Sequence, residues 1–217
     1  MDKLFKSVVE KCKMAGFAEG VRKKAHYGED DLELLCEILE KIFECMECAA
    51  TWSAKDTDAG LQQEVIMTLG AGVDELQETF LAKGEITEAY MVEVLASEIL
   101  LLAYAEYNQW IKDHTDKTVA RYYFLGADSE HLLEDLPSIL TRSGLPVTCT
   151  EGYCMLPKKT VAFYAQLTTD HSAVCEGICM GCNRTDCPNR MTTASSNIGN
   201  KTLDRPLTYG YSKIFGL

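Results

Sequence analysis

Apolar residues recur at helical spacing in the first part of the chain. Residues 2–26 alternate lysines with apolar positions, and this period predicts a short amphipathic helix that packs on the body of the protein. A second helix is expected from Leu32 to about Cys48, because Asp30 and Asp31 can cap its first turn and its apolar side chains form one stripe. Residues 1–60 are therefore predicted to be an N-terminal helical extension.

The longest periodic segment runs from Thr87 to about Lys112. Between Val94 and Ala105 this segment is apolar on almost every side, which predicts a long helix buried in the core. Shorter helical patterns cover Val73–Lys83 and Ser129–Leu140. The middle of the chain should therefore be organised around the long helix.

Four short apolar segments, bounded by glycine, proline or polar residues, predict strands or extended segments. They are Glu64–Leu69, Arg121–Gly126, Val147–Thr150 and Val161–Leu167. Their order among the helices predicts an α+β domain.

The chain divides into three parts by composition. An α+β core is expected over residues 61–170, and a cysteine-rich module with a tail over residues 171–217. Met191–Asn200 is rich in threonine, serine and asparagine and predicts a flexible linker. The segment Leu207–Leu217 is apolar enough to dock back on the protein.

Composition excludes several classes of protein. The 217 residues are 47% hydrophobic and 25% charged, and no stretch approaches the run of about 18 apolar residues that would span a bilayer. The first residues lack an apolar signal core, so a cytoplasmic protein without a membrane segment is expected. A net charge of −12 argues against nucleic-acid binding and favours a basic protein partner.

Four of the ten cysteines lie close together near the end of the printed sequence. Cys175, Cys179, Cys182 and Cys187 have the spacing CxxxC, CxxC and CxxxxC, and Pro188 follows the last. Structural zinc sites usually pair two knuckles across a long spacer, whereas a dense run that ends in Cys-Pro is typical of iron–sulfur loops. An iron–sulfur cluster is favoured over zinc, with two disulfides or four unrelated buried thiols as the alternatives.

Other cysteines suggest thiol chemistry less strongly. Cys45 and Cys48 form a CxxC that could bind a metal or act as a redox dithiol, but with no second pair beside it the favoured interpretation is two ordinary half-buried helical cysteines. A thiol sensor that also uses Cys149 and Cys154 is a further alternative. These two residues could also be small core side chains.

The stretch from Thr148 to Val161 resembles a signature of the reactivation domain of cobalamin-dependent methionine synthase, which binds S-adenosylmethionine. In that family a Thr-Glu pair is followed by an aromatic residue, a Met-x-Pro and a Ser/Thr-Val that leads into a strand. The matching residues are Thr150, Glu151, Tyr153, Met155, Pro157, Thr160 and Val161. The sequence Ala-Tyr-Ala-Glu-Tyr at 103–107 is similar to a motif on the family's long helix, and Thr68-Leu-Gly70 is a weaker match.

The resemblance spans about residues 65–170 and implies a domain in which an antiparallel sheet packs on the long helix. It also implies binding of S-adenosylmethionine, with Glu106 contacting the ligand and Arg121 holding its carboxylate. A zwitterionic ligand suits this pair, because an anion can bind its ammonium and a guanidinium its carboxylate. For both residues, ordinary surface ion pairing or solvation is the alternative.

The remaining residues of the implied site are Tyr123, Gly126, Glu151 and Tyr153. The chain departs from the family at this point, because Arg-Tyr-Tyr-Phe-Leu-Gly at 121–126 lacks the family's Pro-Gly-Tyr. A tyrosine that the family has on the strand after the Met-Pro loop has no equivalent here.

The family's activity is the rescue of oxidised cobalamin, and the resemblance implies the same role here. The expected function is reductive reactivation of a cobalamin-dependent methionine synthase or related corrinoid protein. S-adenosylmethionine would supply the methyl group, and the cysteine module would relay the electron. The alternative is a non-catalytic, metal-binding adaptor that docks a corrinoid protein and has lost S-adenosylmethionine binding.

Overall fold

The computed structural model describes residues 3–14, 16–57, 60–127 and 129–172. The α-helices in these ranges are α1 (Lys3–Lys13), α2 (Phe17–Lys24), α3 (Leu32–Cys45), α4 (Ala71–Lys83), α5 (Ile86–His114) and α6 (Leu136–Ser143). The strands are β1 (Ala49–Thr57), β2 (Gly60–Thr68), β3 (Thr118–Phe124), β4 (Thr148–Cys149), β5 (Met155–Leu156) and β6 (Thr160–Thr168). Short 3-10 turns at Glu29–Asp31 and Leu133–Asp135 precede α3 and α6.

Four strands form one antiparallel sheet in the order β1-β2-β6-β3. In its centre β2 pairs with β6, so that Val65 lies opposite Phe163. The strands β4 and β5 form a separate two-stranded hairpin. A mixed architecture of six α-helices and a four-stranded antiparallel sheet agrees with the predicted α+β class.

The long helix α5 packs on one face of the sheet, where it forms the centre of the larger core. Leu95 and Ile99 are completely buried, and the hydroxyl of buried Tyr107 donates a hydrogen bond of 2.6 Å to Gln63 Oε1 in β2. The long buried helix that the sequence predicts is therefore present. In the part of the chain that the structure describes, no helix combines the length and apolarity needed to cross a membrane.

A smaller core covers the opposite face of the sheet. Ile66 and Ala162 contact Leu136, Ile139 and Leu140 of α6, while their strand neighbours belong to the larger core beside α5. This alternation follows from the pleat, because successive residues of a strand point to opposite faces. The sheet therefore separates two sides, and each candidate site residue can be assigned to one of them.

The first predicted helix is two helices in the structure. Residues 3–24 break at Gly16, whose φ of 114° is in the left-handed region that favours glycine. Both helices pack on α5, and Phe5 of α1 and Phe17 of α2 are at most 1% exposed. Lys24 Nζ lies 2.6 Å from Glu98 Oε1, so an ion pair also joins α2 to α5.

The strand β1 differs from the prediction, which placed all of residues 1–60 in a helical extension. It pairs with β2 along its whole length, from Ala49 opposite Thr68 to Thr57 opposite Gly60. Its sequence Thr-Trp-Ser-Ala-Lys-Asp-Thr lacks clear apolar alternation, because β1 is an edge strand whose second half is exposed. The N-terminal segment therefore contributes a strand to the sheet as well as helices.

Candidate functional site

Glu106 is buried between α5 and α1. Its residue exposure is 7%, and its carboxylate accepts hydrogen bonds from Ser7 Oγ and from the ammonium of Lys11, both on α1. A buried carboxylate requires such partners, because desolvating an unpaired charge is costly. The negative charge of Glu106 is thus already balanced within the chain.

Arg121 lies on the edge strand β3 with an exposed side chain. Its guanidinium carbon is 5.0 Å from the centre of the Tyr123 ring, a cation–π arrangement. Among the described residues, no carboxylate lies within ion-pair distance of Arg121. The guanidinium is therefore exposed and lies over an aromatic ring.

Arg121 and Glu106 lie on different sides of the sheet. A bulge between Val119 and Arg121 shifts the register of β3, so that Tyr122 points toward α5 and contacts the Tyr104 ring at 5.7 Å. Its neighbours Arg121 and Tyr123 point to the opposite face. The structure does not bring Glu106 and Arg121 together, and a small ligand cannot contact both.

A histidine that no sequence pattern predicts also lies on the Arg121 side. His131 is 8% exposed, and its ring stacks on Tyr123 with the centroids 4.6 Å apart. Its other neighbours are the Tyr164 ring at 4.9 Å and the Gln62 side chain, whose Nε2 lies 3.1 Å from His131 Nε2. No short motif marks this histidine, because its neighbours come from three separate strands.

Gly126 shapes the loop that carries His131. Its φ is +78°, and its N–H donates a hydrogen bond of 2.7 Å to the His131 carbonyl. A Cβ at this position would lie 3.3 Å from Leu133 Cβ. Glycine is thus favoured here by conformation and by space, and it fixes the loop beside Tyr123.

The motif from Thr148 to Val161 forms the β4–β5 hairpin and the start of β6. Glu151 is exposed at the hairpin turn, and Tyr153 adopts a left-handed φ of 61° while its ring packs on the smaller core. These residues belong to the side of the sheet that holds Arg121, Tyr123 and Gly126. Five of the six residues implied by the resemblance therefore lie on one side, and Glu106 lies on the other.

The predicted metal ligands Cys175, Cys179, Cys182 and Cys187 lie outside the described residues. Within the ranges that are described, no group of three or more histidine, cysteine or acidic side chains could hold a metal ion. The position of Cys187 and its three partners therefore remains a prediction from the sequence.

The two CxxC cysteines differ in burial, because Cys48 is buried and Cys45 is only half-buried. Burial raises the pKa of Cys48 to about 12, and burial with a smaller contribution from Cys48 and Glu106 raises the pKa of Cys12 on α1 to about 12. Burial also raises the pKa of Cys45, which lines an open depression of about 400 Å³ with Gly72 and Glu75. Thiols with raised pKa values are poor nucleophiles at neutral pH. The prediction of two half-buried cysteines on one helix is correct for Cys45 only, because α3 ends at Cys45 and Cys48 is buried in the segment before β1.

The hairpin cysteines do not face each other. Cys149 is paired with Met155, so Cys154, the residue before Met155, points to the other side of the hairpin. This register makes a disulfide between Cys149 and Cys154 geometrically unfavourable.

Comparison with protein-family models gives no match, and comparison with curated proteins gives none. The likeness to the methionine synthase reactivation domain therefore depends on the motifs at 148–161 and 103–107. Family membership and the functions that it implies stay predictions.

Proposed function

We propose that the protein serves the reductive reactivation of a cobalamin-dependent methyltransferase of the methionine synthase type. The proposal is supported by the two motifs and by their places in the fold: one leads into the central strand β6, and the other lies on the buried helix α5. The observation that carries the ligand-binding part is the exposed Arg121 guanidinium on the Tyr123 ring.

In this proposal S-adenosylmethionine binds on the Arg121 side of the sheet. Arg121 holds the carboxylate of the ligand with two parallel hydrogen bonds, and Tyr123 supports the guanidinium plane. Glu106 is left out of the ligand set, because Lys11 already neutralises it. Glu151 is the acidic residue of the motif whose side chain is exposed on this side of the sheet, and we propose it as a further candidate contact for the ligand.

The reaction needs one electron and one methyl group. Cys175, Cys179, Cys182 and Cys187 would hold an iron–sulfur cluster, which would supply the electron to the cobalt of the partner and would be reduced again by an external low-potential electron-transfer protein. Arg121 would hold S-adenosylmethionine, which would supply the methyl group. In that transfer the carbon–sulfur bond of the sulfonium would break, its electron pair would stay on the sulfur of S-adenosylhomocysteine, and the methyl group would pass to the reduced cobalt.

The cysteine module is the proposed holder of this cluster. Cys175 follows three residues after Ser172, the last described residue, and only seven after the end of the central strand β6. Cluster potentials extend low enough for reduction of cobalamin. In the same polypeptide, the proposed electron relay would therefore begin close to the sheet that presents Arg121.

Calorimetric titration with S-adenosylmethionine tests the ligand-binding part. Micromolar binding is expected for the unmodified protein, and its loss is expected for Arg121→Ala. Arg142→Ala is the matched control, because Arg142 is an exposed arginine that pairs with Glu64 at 2.8 Å and should leave binding unchanged. Equal binding by both variants would remove Arg121 from the site.

Anaerobic reconstitution with iron and sulfide tests the electron relay. The expected product contains iron and sulfide, absorbs in the visible range and gives a spin-resonance signal on reduction. Cys182→Ser should lose these signals, whereas Cys36→Ser, which changes an exposed cysteine on α3, should keep them. Protein that holds one zinc ion and no iron after reconstitution would contradict the relay.

A second function, favoured by the pairing of Glu106, is that of an adaptor without a methyl-donor site. Lys11 occupies the carboxylate that the family is expected to use for its ligand. In this alternative the protein docks a corrinoid protein, and the cysteine module stabilises it through a metal. Absence of calorimetric heat with S-adenosylmethionine, together with retained metal binding, would favour the adaptor.

A further inference from the structure

Three aromatic rings form a group at the C-terminal end of α5, which we call the aromatic platform: Trp52, Trp110 and His114. The Trp52 and Trp110 rings lie 4.6 Å apart, and His114 stacks on Trp110 at 4.6 Å with an interplanar angle of 13°. His114 Nδ1 donates a hydrogen bond of 2.9 Å to the Trp110 carbonyl and so fixes the ring. The three rings present one continuous surface.

At the platform, the side chains between α5 and β1 are partly exposed to solvent. Trp52 and Trp110 are only half-buried and His114 is exposed. Farther along α5 the same flank is covered by α1, where Phe5 and Val8 are completely buried. Tryptophan is enriched among the interface residues that contribute most of the binding free energy. Two partly exposed tryptophans next to the buried core are therefore a candidate docking surface.

The rest of the chain leaves the described body near the His114 end of the platform. Thr168, at the end of β6, pairs with Thr118, which is four residues after His114. The pKa of Asp116 lies below its ordinary value, mainly because Lys117 hydrogen-bonds to the carboxylate and in smaller part because His171 is near. The chain beyond Ser172 therefore starts beside the platform.

We propose that residues 207–217 dock on the aromatic platform. This segment contributes six apolar side chains: Leu207, Tyr209, Tyr211, Ile214, Phe215 and Leu217. Residues 191–217 contain three basic side chains and one acidic side chain, in a protein with a net charge of −12. Attraction to the net negative charge of the protein thus adds to the apolar contact.

Chain length permits this docking. Thirty-four residues separate Ser172 from Leu207, and a flexible segment of that length spans roughly 30 Å on average. Because the segment is tethered near the His114 end of the platform, its effective concentration at the platform is on the order of millimolar. If residues 207–217 dock on the platform, the connecting residues 173–206 are held near it at both ends. These connecting residues contain the four clustered cysteines, and the docking does not depend on which metal the cysteines bind.

Tryptophan fluorescence tests the proposal directly, because Trp52 and Trp110 are the only two tryptophans in the chain. A variant that ends at Pro206 is compared with the full chain. The expected result is emission at longer wavelength and stronger quenching by acrylamide in the shortened variant. A peptide with the sequence of residues 207–217, added in excess, should reverse both changes.

Equal emission and equal quenching of the two proteins would overturn the proposal. If the shortened variant unfolds, judged by far-ultraviolet circular dichroism, the full chain with Tyr209→Ser and Phe215→Ser replaces it. Tyr90→Ser, a change of a 60% exposed tyrosine near the other end of α5, is the control that should leave the fluorescence unchanged. A spectrum that responds to hydroxocobalamin but not to any change in residues 207–217 would assign the platform to the corrinoid partner, against the proposal.

Discussion

Because Glu106 is more deeply buried than its partner Lys11, replacing Lys11 should lower the free energy of unfolding more than replacing Glu106. Lys11→Met leaves a carboxylate whose side chain is 8% exposed with Ser7 as its hydrogen-bonding partner, whereas Glu106→Gln leaves an ammonium whose side chain is 41% exposed and can turn to water. Removing one partner of a fully buried pair costs about 3–5 kcal/mol. We therefore expect a loss of about 2–3 kcal/mol for Lys11→Met and about 1–2 kcal/mol for Glu106→Gln, with hydration of the exposed partner lowering both values.

Thermal unfolding followed by circular dichroism measures the difference. In a chain of this size each kcal/mol lowers Tm by about 2–4 °C. The double variant should be more stable than Lys11→Met alone, because its buried carboxylate is gone. Glu151→Gln, which changes an exposed carboxylate, is the control and should stay within about 0.5 kcal/mol of the unmodified protein.

A different result would restore Glu106 to the ligand site. If Glu106→Gln abolished binding of S-adenosylmethionine while Lys11→Met and Glu106→Gln both left Tm unchanged, the carboxylate would be a ligand residue and not an anchor for α1. The anchoring interpretation would then be wrong.

Three further outcomes follow from the structure. Gly126→Ala should lower the free energy of unfolding, measured by chemical denaturation, by about 1–2 kcal/mol, because the φ of Gly126 is +78° and a Cβ would crowd Leu133. An unchanged denaturation midpoint would mean that the loop relaxes. The pKa values of Cys12 and Cys48 are raised from 9.0 to about 12 in the folded protein, so their stabilising contribution is complete below pH 9 and is lost as the pH rises to about 12. In Cys48→Ala the free energy of unfolding should fall less steeply above pH 9 than in the unmodified protein. An equally steep fall in the two proteins would contradict this prediction. In the native protein an aromatic disulfide reagent should modify exposed Cys154 before Cys12 and Cys48, as mass mapping would show; simultaneous modification would mean that the core opens readily.

The spacing of apolar residues along the sequence predicts the helices and strands whose side chains are buried at regular intervals. The long helix α5 and the central strand β6 have continuous apolar sequences, so periodicity locates them to within a few residues. The helix α6 begins at Leu136, with a proline in its first turn, and not at the predicted Ser129; residues 133–135 before it form a 3-10 turn. The predicted helical extension missed β1, whose polar outer half shows no alternation.

The arrangement of the site required contacts that no local pattern contains. Ser7 and Lys11 are 99 and 95 residues from Glu106 in sequence, so the helix motif alone cannot show that α1 covers this carboxylate. The bulge before Arg121 decides which side of the sheet the guanidinium faces, and a bulge leaves little trace in composition. The sequence therefore predicted the residue types of a site but not their separation into two sides.

The pairing of β1 with β2 bears on how the protein can be shortened. A fragment that begins at residue 61 lacks β1, the strand that pairs with β2. The backbone amides and carbonyls of β2 that bond to β1 would then have no partner, along a strand that contains Val65, Ile66 and Met67. Such a bare, apolar strand edge is a template for pairing with other molecules. Expression of residues 61–170 alone should therefore yield aggregates, whereas fragments that retain Ala49–Thr57 together with α1 should remain dispersed.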